Sequence, residues 1–196
     1  TNDNELSNLL AIYSSNEITS NAVSSEQKLM VVFKSLGVTC SGNEVVKGLE
    51  EIKSEARKIF NDDTFAEDLN ISLDGYSITY NEINNNYTIK LNSCPSSEDF
   101  IVKSVVKATR ADDEIYIYQA FGYFVKGPEN KYFVYDSALK TNQIGEFIDE
   151  AGTKEFNEVE KLKQFKWTFK KSSDNNYYFV SVTPVIWLNK SLRLFK

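Results

Sequence analysis

The chain has 196 residues, of which 41% are hydrophobic and 26% charged, and its net charge is −6. That length and composition fit one sizeable globular core, and no apolar run approaches the roughly 20 residues that a membrane-spanning helix needs. There is no histidine, which excludes Ser-His-Asp and Cys-His catalysis and imidazole metal ligation.

The acidic balance hides an asymmetry. Residues 153–196 carry nine basic and four acidic side chains, whereas the rest carry 13 basic and 24 acidic. An acidic chain is a poor nucleic-acid binder, because phosphate neutralisation supplies most non-specific affinity. The C-terminal cations Lys161, Lys163, Lys166, Lys170 and Lys171 are candidates for a local patch, although the solvent face of a strand explains them more simply. No signal peptide is visible, and the first residue is Thr1. The expectation is therefore a chain that is processed, trimmed, or missing an excised initiator Met, from which any native leader or anchor would have been removed.

In chain order, Leu6, Leu9, Leu10 and Tyr13 define one face of a short helix over 3–13. A Ser/Asn-rich loop follows. Leu29, Val32, Phe33 and Leu36 predict a helix over 25–36, with Gly37 suited to the left-handed position beyond its end. Ser41-Gly42-Asn43-Glu44 matches a capping box. It predicts a third helix to Phe60, whose face is Val45, Leu49, Ile52, Ala56 and Ile59. From about residue 70 the period changes from helical to two. Strand-like runs cover 76–83, 87–92, 100–109, 114–126, 131–136, 164–171 and 177–183. Between them lie turn clusters such as Asn84-Asn85-Asn86, Asp112-Asp113 and Asp174-Asn175-Asn176. The run from Tyr116 to Val125 is apolar on both faces and predicts a central strand, with Gly122 as its bulge or bend. Phe156, Val159 and Leu162 predict one more helix over 153–163.

Candidate chemistry is sparse. There is no Walker loop and no GxGxxG pattern. Asp62-Asp63 and Asp112-Asp113-Glu114 read as solvated turn carboxylates rather than a cation site. No cofactor, no metal and no catalytic residue is expected. Cys40 and Cys94 permit one disulfide, of the order of 3–4 kcal/mol in the chain-entropy model; two unrelated thiols are the equal alternative. The tyrosines carry the main binding signal. Tyr116, Tyr118, Tyr123, Tyr132, Tyr135 and Tyr178, with Trp167, fall on strands and offer flat apolar area with a polar tip. Cross-strand pairing on a solvent-facing sheet is the simpler account of them.

The stretches Lys103–Arg110, Asp113–Tyr118, Tyr123–Val125, Lys131–Tyr135, Phe165–Lys171 and Tyr177–Val182 resemble exported or membrane-anchored domains of low-GC Gram-positive bacteria in strand texture. The order of helices followed by curved sheet is also similar to the nuclear-transport-factor-like cone fold. That resemblance implies no single function. Enzymes of that fold often use a His/Asp pair, and no histidine is present to supply it.

The expectation is a single α+β domain over 1–196, mainly helical over 1–68 and mainly antiparallel sheet over 69–196. The helices pack on a curved sheet of about six strands. The leading functional reading is a non-catalytic exported or cell-surface domain that binds a protein partner or small ligand through its aromatic sheet face. It binds no nucleic acid and meets a membrane only through an anchor outside this chain. The alternatives are an enzyme with a cone-shaped pocket using Asp/Glu and Tyr, and a cytoplasmic accessory or immunity-type protein.

Overall fold

Ser24 and Gln27 start the first helix. The Ser24 side chain accepts from the Gln27 N–H at 3.3 Å, and Gln27 Oε1 accepts from the Ser24 N–H at 3.1 Å, a reciprocal capping box. The computed structural model describes residues 17–39, 43–67, 75–92, 98–137 and 140–185. The helix expected over 3–13 and both cysteines, Cys40 and Cys94, lie outside them. Helix α1 runs Ser25–Ser35 and buries Leu29, Val31, Val32 and Phe33. Gly37 follows its end at φ +89°, a conformation glycine adopts without steric cost.

The second helix corrects the sequence expectation. Val45–Gly48 is a strand, β2, and α2 begins only at Leu49 and runs to Phe60. β2 pairs with β4 (Asn86–Leu91), matching Val45 to Ile89 and Gly48 to Asn86. The β-branched Val45 and Val46 thus complete a sheet instead of a helical first turn, and a long-range pairing overrides a local capping pattern. The expected face survives in Ile52, Ala56 and Ile59, all buried with Phe60. Each of the larger three contributes about 1.5–3 kcal/mol. Asn61, at φ +54°, closes the helix and donates its N–H to the Arg57 carbonyl.

Besides three short 3-10 turns, the remaining described elements are strands: β1 (Ile18–Thr19), β3 (Tyr76–Asn81), β5 (Phe100–Ala111), β6 (Glu114–Lys126), β7 (Lys131–Tyr135), β8 (Gln143–Ile148), β9 (Lys163–Lys171) and β10 (Tyr177–Pro184). Among the described residues they form two antiparallel sheets, one of seven strands and one of three, rather than a single sheet of about six. In the small sheet β4 lies between β2 and β3. In the large one β6 is the centre. One edge of β6 pairs with β5 along its length. Its other edge is shared, by β9 along Glu114–Phe121 and by β7 along Tyr123–Lys126.

This fork organises the molecule. β7 leaves β6 where β9 joins it, and the chain from 136 to 162 makes an excursion between them. Alternate residues of β6 then face two cores. Ile115, Ile117 and Phe121 look toward α1, α2 and the small sheet, with Phe165, Trp167, Phe169 and Phe179 from β9 and β10. Ala120 and Phe124 look the other way, into a second core with Tyr132, Val134 and Leu162. At the fork itself Asp136, 2% exposed, accepts from Lys163 Nζ at 2.8 Å and from Asn142 Nδ2 at 2.9 Å.

The excursion does not contain the helix expected over 153–163. Residues 154–158 are irregular and Val159–Lys161 is a single 3-10 turn. The buried Asp149 carboxylate accepts from the N–H groups of Thr153 and Lys154, and so fixes the turn there. Phe156, Val159 and Leu162 still reach one core. Their spacing of three is met by extended chain and a tight turn instead of an α-helix.

Gly122 is also reassigned. It pairs in regular register with Val102 and is not a bulge. A Cβ there would stand 2.8 Å from Leu162 Cδ2 and 3.0 Å from Phe124 Cε2. The glycine makes room for the second core. The register shifts lie elsewhere, at Val105/Lys107, at Val134/Tyr135 and at Phe179/Ser181. Among the described residues, no helix is long and apolar enough to cross a membrane.

Candidate functional site

The second core covers only half of the sheet face that points away from the helices. The other half is built from β5, the first half of β6, β9 and β10. The registers place Tyr116 beside Thr168 and Thr109, and Tyr118 beside Lys166 and Lys107. Both rings are half-buried and belong to neither core. Lys166 Nζ lies 4.3 Å from the centroid of Tyr116, and Lys107 Nζ lies 5.7 Å from that of Tyr118. Such stacks hold flat apolar area and charge together. The Tyr116 hydroxyl donates to Glu114. That bond, followed by burial and the charges of Glu114 and Asp112, raises the phenol's pKa. Tyr116 therefore keeps its proton and remains a donor.

The other expected site residues are dispersed. Tyr178 pairs with Lys170 on β9, at the far side of the same face. Tyr123 and Tyr135 are cross-strand partners, but on the helix side. There the Tyr123 hydroxyl points to Asp99 at 3.5 Å, and burial, then the Asp99 charge, raises its pKa. Tyr132 is 3% exposed and Trp167 0%; each is core and presents no ring to a partner. The C-terminal lysines form no single patch. Lys161 pairs with Glu158, Lys163 with Asp136, and Lys166 stacks on Tyr116.

Sequence reasoning passed over one further region. A cleft of about 760 Å³ opens where the segment after β1, the start of α1, the end of α2 and the edge of β10 meet; Ser20, Lys28, Asp62, Tyr178 and Ser181 are among its walls. Lys28 is 8% exposed. Its Nζ is 3.0 Å from Asp62 Oδ2 and 5.1 Å and 5.6 Å from the ring centroids of Phe65 and Phe60. Burial pushes the Asp62 pKa up. Hydrogen bonds from the Thr64 hydroxyl, Lys28 and the Thr64 N–H, together with the Lys28 charge, outweigh it and hold the carboxyl below its ordinary value. Asp62 is therefore held as a carboxylate against the Lys28 side chain, a structural clamp between α1 and the end of α2. The sequence signal was a lysine four residues before Val32, on the core stripe of α1.

Among the described residues no group of three or more Cys, Asp or Glu side chains is placed to hold a metal ion. Of the buried carboxylates, Asp149 accepts from two backbone N–H groups and Asp136 Oδ2 accepts from Lys163 and Asn142, while Asp136 Oδ1 is buried with no partner among the described residues. What the open half-face can do chemically is contact: it offers two tyrosine rings with Lys107 and Lys166 stacked against them. No family model, no curated protein and no solved structure matches this chain.

Proposed function

We propose that the protein is a non-catalytic binding module that takes a protein partner on the half of the sheet face bearing Tyr116 and Tyr118. The observation that carries the reading is the one-sided cover of that face. The excursion over residues 143–162 buries one half in a second core, and tyrosines stacked with Lys107 and Lys166 fill the other. Tyrosine beside long cations is the composition of interface anchors: large rigid area, a polar tip and few rotamers to immobilise. The setting we propose is the bacterial cell surface, with Cys40 and Cys94 bridged. Thiol alkylation of the unfolded protein before and after reduction tests that part.

The binding test places a photo-crosslinking aromatic residue at position 118, and separately at Tyr80 of the small sheet, in cells that make the protein. A discrete adduct from position 118 that is absent from position 80, and that disappears when Tyr116→Ser and Lys166→Ser are added, supports the reading. Equal adducts from both positions, or none from 118, overturn it.

A further inference from the structure

We infer that the free edge of β5 takes an extended, acidic segment of a partner protein as an added strand. β5 spans Phe100–Ala111 and pairs only with β6. Its opposite edge carries no strand among the described residues. The other outer strands of this sheet are shorter, two residues in β1 and six in β8. Residues 105–108 of β5 are all exposed. Val105 is 53% and Val106 51% exposed, and Ile101 is 39% exposed. An unpaired edge of this length is a template for main-chain pairing, and exposed β-branched residues are what a paired strand covers.

Charge identifies the occupant. β5 carries Lys103, Lys107 and Arg110 and no acidic residue, inside a region, residues 1–152, with 13 basic and 24 acidic side chains. It is a basic strand on an acidic body. A second copy offering its own β5 would set these cations against their duplicates, and the bulge at Val105/Lys107 leaves Val106 without a partner on β6, a feature that twists an edge away from self-pairing. The registers put Lys103 and Arg110 on one face of β5, opposite Phe121 and Ile115, and Lys107 on the other, opposite Tyr118, so a strand alternating acidic with apolar residues can set its acidic side chains on the face of Lys103 and Arg110. The inference does not depend on the tyrosine face; either can fail alone.

The probe is an eight-residue capped peptide alternating glutamate with valine or threonine, and its control replaces every glutamate by lysine. Both are titrated into isotope-labelled protein to about 1 mM, a range that detects even weak association, while amide exchange is followed residue by residue. The expected result is slowed exchange at alternate amides of β5 with the acidic peptide only. Binding should weaken about tenfold in 1 M salt, where the screening length falls to about 3 Å. It should be lost in Lys103→Glu/Arg110→Glu, a surface variant that leaves the Lys107–Tyr118 stack in place and whose fold is checked by circular dichroism. No protection in β5, equal protection by the lysine peptide, or shifts confined to Tyr116 and Tyr118 would overturn strand addition. Protection that grows with protein concentration alone would assign the edge to a second copy and overturn it equally.

Discussion

Gly122→Ala is the sharpest test of the second core. The added methyl would lie 2.8 Å from Leu162 Cδ2, 3.0 Å from Phe124 Cε2 and 3.4 Å from Val134 Cγ1. Carbon contacts prefer about 3.5–4.0 Å, so two neighbours must retreat by about 0.5–1 Å. Neither is free to do so. Leu162 is 5% exposed and Phe124 0%, and the Phe124 ring is held by Phe100 at 4.7 Å, Phe156 at 5.1 Å and Phe147 at 5.8 Å. Overpacking of this kind costs about 1–3 kcal/mol. Against it stands about 0.5–1 kcal/mol gained by removing a glycine from a strand. The expected net loss is about 1–2 kcal/mol in urea unfolding, with an unchanged slope. Leu162→Ala alone should cost about 2–4 kcal/mol, but in its background the Gly122→Ala penalty should shrink, because the 2.8 Å contact is gone while the one with Phe124 remains, a coupling of about 1 kcal/mol. A neutral or stabilising Gly122→Ala, or the same cost in both backgrounds, would refute the packing role.

Lys163→Met should destabilise by about 3 kcal/mol, because it strands the buried Asp136 without its cation; adding Asp136→Asn should recover part of the loss, and a cost below about 0.5 kcal/mol would show that the pair holds nothing together. The Tyr76 hydroxyl is buried without a partner among the described residues, and burial raises its pKa, so Tyr76→Phe should raise the stability by up to about 1 kcal/mol in urea unfolding; a clear loss would reveal a hidden partner. Asp62 has a folded pKa below its ordinary 3.8, so its contribution is present above the unfolded value and is lost as pH falls through the lowered folded one. The stability difference between wild type and Lys28→Met should therefore be constant from pH 7 down to the ordinary carboxylate range and shrink as the pH falls below it. A difference that stays flat to the lowest pH would exclude Asp62 as the linked group.

The strands that alternate cleanly were legible in the sequence. β6, β9 and β10 appear within a residue or two of their expected bounds because each packs at least one regular apolar row. β8 was not legible, since the shift at Val134/Tyr135 puts Ile144 and Phe147 on the same core despite their odd spacing. β2 was hidden by a capping pattern that its pairing with β4 overrides. The α+β, antiparallel character was readable from the change of period near residue 70; the division into two sheets was not, because it depends on which edge of β6 each strand joins. Of the aromatic residues singled out, period two alone could not separate Tyr116 and Tyr118 from Tyr132 and Trp167. Which face of β6 is covered, and over which half, is decided by β8 and by residues 154–162, where irregular backbone and a 3-10 turn leave no period to read.

Whether Tyr116 and Tyr118 lie open to a partner is measured most directly by hydroxyl-radical footprinting of the folded protein, which reads side-chain accessibility independently of ionisation. Oxidation of Tyr116 and Tyr118 well ahead of Tyr132 and Trp167, with the difference erased on unfolding, is the expected result. Protection of Tyr116 and Tyr118 equal to that of Tyr132 would mean that this half of the face is already covered, and would contradict its role as the binding surface.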